Sequence, residues 1–252
     1  LAAAHLRRRC HWRSCPKEPS PFQAHRQLLA ADPWHSKGAC EMFVQALTRP
    51  AQTLLERLGR RRWMREFYLA GGSGVALHLG HRVSEDLDFF TPKELNTTLL
   101  IQRLRRVGEF DLRTEAWGTV TGILGGVRAS FFTYSYPLLE PTQRLFGVGV
   151  ASLVDIALMK IVAISQRGSR RDFIDLFFIC QEVPLKELLL LLPRKYTGVN
   201  YSLPHILRSL VYFADAECEP MPKMLRKVRW SVVKGFFEKE VKRIAEECMG
   251  GR

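Results

Sequence analysis

Asp86 and Asp88 are separated by one leucine in the run Asp86-Leu-Asp88-Phe-Phe90. On a β-strand, side chains two apart share a face, so the two carboxylates project together while Leu87 and Phe89 face the other way. Two carboxylates at the end of a buried strand repel each other and lose hydration. A divalent cation removes both penalties, and hard oxygen ligands of this kind suit Mg²⁺. Upstream, Gly71-Gly72-Ser73-Gly74 interrupts a short strand-like run, Phe67 to Ala70, before a helical stretch from Val75 to Leu79. Backbone N–H groups and a hydroxyl at a helix start can hold a phosphate. A phosphate cradle at Gly71, Gly72 and Ser73, followed by metal ligands at Asp86 and Asp88, suits transfer of a nucleotidyl group from an NTP.

Two helix starts further on supply the other candidates. Ser152 and Asp155 form a capping box that opens a helix to about Gln166. Its body, Ile156 to Ile164, is apolar nearly all round, and Lys160 is the one charge within it. Either the lysine stem carries the ammonium out to the surface, or the cation is aimed at phosphates inside a cleft. Ser169 and Asp172 make a second capping box, which by itself accounts for Asp172, and Asp175 follows on the same face. Arg167, Arg170 and Arg171 cluster there, and Arg167 and Arg171 are read as nucleotide-binding with Lys160, which is also read as catalytic with Asp86 and Asp88.

The elements that must position these groups read as an α/β (α+β) chain. A helix is expected between Phe43 and Met64, with Pro50 in its first turn and Gly59-Arg60-Arg61-Arg62 at its end. Another runs from Leu99 to Val107. Strands are expected over 109–116, 119–124 and 127–134, with Gly125-Gly126 as a hairpin turn. The last of these, Val127–Tyr134, carries no Asp or Glu. Beyond 185 the pattern is helical over Leu185–Leu192, Leu203–Phe213 and Val228–Glu247. Residues 42–150 are therefore read as the core and 151–252 as a helical lobe completing the site.

The charge balance is 38 Lys and Arg against 25 Asp and Glu, or +13. Such an excess favours a polyanionic partner. Seven basic and three acidic residues in the first 41 supply +4 of it, leaving +9 for the remainder. Those 41 residues show no sustained apolar period and precede the first methionine, Met42. They read as a disordered basic leader or a non-native upstream segment. Their three cysteines and four histidines match no usual zinc spacing. The six cysteines of the chain form no C-x-x-C pair, no apolar run reaches membrane-span length and no signal peptide is evident. These features lead to the expectation of a cytoplasmic protein with reduced thiols.

The run from Leu69 to Phe90 resembles the signature of the AbiEii/AbiGii-type nucleotidyltransferases, the toxin halves of bacterial abortive-infection toxin–antitoxin systems. The resemblance continues in Asp155-Ile-Ala-Leu-Met-Lys160, in Arg167-Gly-Ser-Arg-Arg-Asp172-Phe-Ile-Asp175 and in Tyr212 to Leu225, and it covers roughly residues 43–240. It implies a polymerase-β-like nucleotidyltransferase core, a mixed sheet with flanking helices, plus a helical C-terminal lobe. It also implies an active-site set of Gly72, Ser73, Asp86, Asp88, Lys160 and Asp172, and a cognate antitoxin as partner. Many relatives in the wider superfamily place a third carboxylate on a later core strand. Val127–Tyr134 has none, and Asp172 is the candidate substitute. The expected acceptor is RNA, tRNA in particular, from the basic triplets and from toxins of this type that modify tRNA ends. Two other readings stand beside this one: a non-catalytic nucleic-acid- or antitoxin-binding module on the same fold, and a nucleotidyltransferase acting on a protein or small molecule.

Overall fold

In the computed structural model, which describes residues 42–250, seven strands form one mixed sheet. They are β1 (Tyr68–Leu69), β2 (Leu87–Thr91), β3 (Phe110–Ala116), β4 (Thr119–Leu124), β5 (Val127–Thr133), β6 (Gln143–Leu145) and β7 (Val148–Val150). Their spatial order is β3-β4-β5-β2-β1-β7-β6, so β2 is central. It runs parallel to β5 and antiparallel to β1, and β1 in turn runs parallel to β7. Helices flank the sheet and dominate after residue 150, as the α/β reading of the sequence anticipates.

Period-two alternation on β2 decides what each face does. Leu87 and Phe89 are fully buried beside Ala129 and Phe131 of β5. They pack under α1 (Arg49–Gly59) and α3 (Thr97–Val107). Helix α1 starts with Pro50 in its first turn and buries Ala51, Leu54, Leu55 and Leu58. Helix α3 starts at Asn96, whose side chain accepts the Leu99 N–H at 2.9 Å, and it buries Leu100, Ile101, Leu104 and Val107. Each such side chain contributes about 1.5–3 kcal/mol. The opposite face of β2 carries Asp88 and Phe90, both half-buried, and is left to the functional site.

Helix α2 spans Gly71–Leu79 and so begins four residues earlier than the sequence suggested. The glycines do not precede the helix; they are its first turn. Gly71 has φ +60°, and a Cβ there would stand 2.7 Å from Asp88 Oδ2. Only glycine meets both conditions at low cost. A second difference is the β6–β7 hairpin, turned by Phe146 (φ 50°) and Gly147 (φ 89°), which the sequence reading lacked. Strands of three residues show too few alternations to be seen by periodicity.

The remaining helices are α4 (Leu153–Gln166), α5 (Arg170–Ile179), α6 (Leu185–Lys195), α7 (Leu203–Ser209), a single turn α8 (Ala214–Glu217) and α9 (Trp230–Gly250). One expected helix, Leu203–Phe213, is thus split into α7 and the turn after it. Serines cap α4 and α5: Ser152 Oγ accepts the Asp155 N–H at 3.0 Å, and Ser169 Oγ accepts that of Asp172 at 3.3 Å. Helices α4 and α5 pack on each other and on α2. Fully buried Lys195 of α6 donates to Asp155 of α4 at 2.8 Å, and that carboxylate also accepts the N–H groups of Leu139 and Glu140. The described residues belong to one compact unit.

The readings of residues 1–41, as leader, as upstream segment and as poor zinc candidates, lie outside the described residues. Among those described, no helix is long and apolar enough to cross a membrane, and Cys180 and Cys218 are free thiols.

Candidate active site

The open face of β2 and β5 is laid out in rows. Asp88 pairs in register with Ser130, and Phe90 with Phe132. Asp86 stands two residues before Asp88, and Arg128 two before Ser130. The face therefore changes from charged to aromatic along the strand direction. Above it lies a cleft of about 1610 Å³, walled by α4, by α7 and by the strip Glu219–Lys223.

Helix α2 aims its first turn at the charged end. A Cβ on Gly72 would come within 2.3 Å of Arg82 Nη2, so the guanidinium lies against the helix N-terminus. Arg82 is buried and held by Asp175 of α5 through Nε at 2.7 Å and Nη2 at 2.9 Å. His81 Nε2 meets the same carboxylate at 2.8 Å. Lys160, reaching across from α4, stands 2.7 Å from Asp175 Oδ2 and 2.6 Å from Asp172 Oδ1. The second oxygen of Asp172 accepts from Ser169 Oγ at 2.7 Å. With 7% exposure, Lys160 does not carry its charge to the surface: its partners are two internal carboxylates. The loop before β2 is fixed from further down the chain as well. Val83 N–H donates to Lys223 O at 2.8 Å, and the N–H groups of Leu225 and Arg226 donate to His81 O at 2.9 Å each.

Two acids here, Asp88 in the cleft lining and fully buried Asp175, are shifted in opposite senses. For Asp175, burial alone would raise the carboxyl. Arg82 and Lys160 override it, and the group lies well below the ordinary carboxylate range. For Asp88, burial pushes the carboxyl up and the neighbouring Asp86 charge adds to it. Lys160 and Ser130 work the other way without cancelling the rise. Burial also pulls on Lys160, but Asp172 and Asp175 keep its ammonium above the ordinary lysine value. Buried Asp175 thus has its charge answered by Arg82 and Lys160, while Asp88 in the cleft lining keeps a raised carboxyl.

The pair Asp86 and Asp88 fits a divalent cation. Asp86 and Asp88 present hard oxygen donors to the same cleft, and the Asp86 carboxylate accepts no hydrogen bond among the described residues. No group of three or more His, Cys, Asp or Glu side chains there could hold a metal. The fit is therefore to the Mg²⁺ pattern of one or two carboxylates, with substrate phosphates and water filling the other positions. Asp172 does not supply a third carboxylate beside the pair, since both of its oxygens are taken by Lys160 and Ser169.

Of the residues singled out from the sequence, Gly71, Gly72, Asp86, Asp88, Lys160, Arg167, Arg171 and Asp172 all line this one cleft. Ser73 does not. It is 1% exposed, and its hydroxyl donates to the Asp86 carbonyl and lies 3.0 Å from Ser84 Oγ, tying α2 to the approach to β2. Arg170 is turned away as well. Its guanidinium sits 5.0 Å from the Trp230 ring and donates to the carbonyls of Ala216 and Glu217, so the arginine cluster is two residues, not three. The Arg60–Arg62 triplet is not part of the cleft lining. The sequence reading missed Arg82, His81 and the anchoring part of Asp175; the available signal was Asp175 one turn after Asp172 on a helix whose other inward positions are apolar.

Comparison with known proteins bears on the family and the fold. Residues 53–145 match the family model of the nucleotidyl transferase AbiEii toxin of type IV toxin–antitoxin systems. An uncharacterised protein of Aquifex aeolicus is 35% identical over 209 residues, which span 81% of this chain and 100% of that protein. The structure of MenT4, a nucleotidyltransferase toxin from Mycobacterium tuberculosis, superposes with a TM-score of 0.50 at 17% identity, covering 86% of this chain and 88% of that one. At that identity the likeness is one of fold.

Proposed function

Because the chain belongs to the AbiEii nucleotidyl transferase toxin family, we propose that its cleft transfers a nucleoside monophosphate from an NTP to RNA, with tRNA the leading acceptor. The observation that carries this reading is the pair of carboxylates Asp86 and Asp88 lining one cleft beside the glycine first turn of α2. In this reading the amides of Gly71 and Gly72 meet the triphosphate at the helix N-terminus. Arg82 and Lys160, held in place by Asp175, set fixed positive charge beside it. Arg167 and Arg171 are exposed at the cleft and form no ion pair among the described residues, which leaves them available to phosphates. Mg²⁺ on Asp86 and Asp88 supplies neutralisation of phosphate charge and activation of the attacking hydroxyl.

Two features favour a large polyanionic acceptor over a small one. The cleft exceeds the roughly 300–1,000 Å³ of small-molecule sites. Its lining includes Arg128, Arg167, Arg171 and Lys223, none of them paired among the described residues. The toxin family further suggests a cognate antitoxin that restrains the activity. Incubation of the purified protein with Mg²⁺, each labelled NTP and total cellular RNA tests the proposal. Label should appear in RNA with wild-type protein and not with Asp86→Ala or Asp88→Ala. Label transferred to a protein or a small molecule would refute the RNA acceptor, and label unaffected by both substitutions would refute the site.

A further inference from the structure

The far end of the cleft carries no charge at all on the sheet. Phe90 and Phe132 lie side by side on β2 and β5, their ring centroids 5.2 Å apart. Tyr134 stands edge-on to Phe90 at 5.6 Å, and Tyr136 edge-on to Tyr134 at 5.0 Å. All four are half-buried and line the cleft. From behind they are braced by buried Tyr196, whose hydroxyl lies 2.7 Å from that of Tyr134 and whose ring is 4.8 Å from Tyr136. A cluster serving only to pack the sheet against helices would hide these faces. Here partly open apolar rings stand beside a charged site, and the Tyr136 hydroxyl makes no hydrogen bond among the described residues.

We propose that this aromatic shelf stacks the terminal nucleobase of the RNA acceptor, not the base of the NTP. The assignment rests on the nucleotidyltransferase reading of the cleft and on the direction of β2. Phosphate-seeking groups, Gly72 and Arg82 among them, gather at the Asp86 end of the strand, while the rings begin at Phe90, beyond Asp88. Displacement at phosphorus is in line: the attacking 3′-oxygen forms its bond to the α-phosphorus as the bond to the pyrophosphate oxygen breaks on the opposite side. The pyrophosphate leaves with the electron pair of its former bond, and the acceptor hydroxyl gives up its proton to water in the open cleft. With the pyrophosphate at the charged end, the acceptor ribose and its base fall at the aromatic end. Stacking is tolerant of base identity, so the shelf accepts an RNA end without demanding one sequence.

The test is equilibrium binding of a labelled short single-stranded oligoribonucleotide, alongside calorimetric binding of each Mg²⁺–NTP. Phe132→Leu, which keeps volume and removes the ring, and Tyr136→Ala should each weaken oligonucleotide binding about tenfold. Tyr136→Phe should retain it, and NTP affinity should stay within about twofold of wild type in all three. Unchanged oligonucleotide affinity in the first two, or no binding by the wild type, overturns the shelf. So does a selective loss of NTP affinity, which would give the rings to the NTP base. If the variants lose oligonucleotide binding while the wild type transfers nothing to RNA, the rings stack an RNA base that is not an acceptor's, which overturns the shelf as proposed and the RNA acceptor with it but leaves the transferase reading standing.

Discussion

Asp88 lines the cleft and Asp175 is fully buried beneath Arg82 and Lys160, and only Asp175 has its charge answered by the protein. Asp88 has a raised carboxyl, so the folded state holds its proton more tightly than the unfolded chain does. Its burden on stability is absent below the ordinary aspartate range near pH ~4, grows as pH rises through the raised folded value, and is constant above it. Asp88→Asn should therefore match wild type in acid and melt higher than wild type at neutral pH, while nucleotide transfer falls more than about 100-fold through loss of a metal ligand. Melting curves at several pH values check the first half, and a gain in melting temperature independent of pH would contradict it. The residues legible in the sequence were those with local logic. Asp86 and Asp88 follow from strand period, Lys160 from its isolation on an apolar helix, and Asp172 from its cap. Arg82 and Asp175 meet across 93 positions, and no local spacing signals a pair of that kind.

Among elements, α2 is the one whose sequence admits least change. Gly71→Ala imposes a left-handed residue with a side chain and drives a methyl group against Asp88 Oδ2. It should cost about 1–3 kcal/mol in urea denaturation and lower transfer by displacing Asp88. Gly235, in α9, has open space around its Cβ and no positive φ, so Gly235→Ala should instead add about 0.5–1 kcal/mol. Equal effects at both positions would remove the claim that Gly71 is set by the site. Strands β2 to β5 and the two serine caps were readable because apolar period and capping residues act within a few positions, whereas β6 and β7 were too short for that. The start of α2 was misplaced because glycine normally argues against helix. Here the need for close approach to Asp88 outweighs that propensity.

On the scale of the whole molecule, the charge excess has been sorted by folding. Lys160, Lys195 and Arg82 are spent on internal carboxylates, and Arg170 on Trp230 and backbone carbonyls. Cations free to meet a polyanion are a smaller set, of which Arg167 and Arg171 lie nearest Asp172. Reversing both to Glu should weaken tRNA binding and reduce the slope of log affinity against log salt by about 2, or roughly 1 per phosphate contact. Filter binding across a salt series measures it; an unaltered slope would take these arginines out of the RNA path. The tether of residues 81–83 to the strip Lys223–Arg226 has a consequence in time. A ribosome makes Gly71, Asp86 and Asp88 early, but the wall that seats Arg82 does not exist until residues 219–226 have been added. A growing chain therefore holds Gly71, Asp86 and Asp88 for much of its synthesis without a finished cleft, and the site is completed only once that later strip has been made.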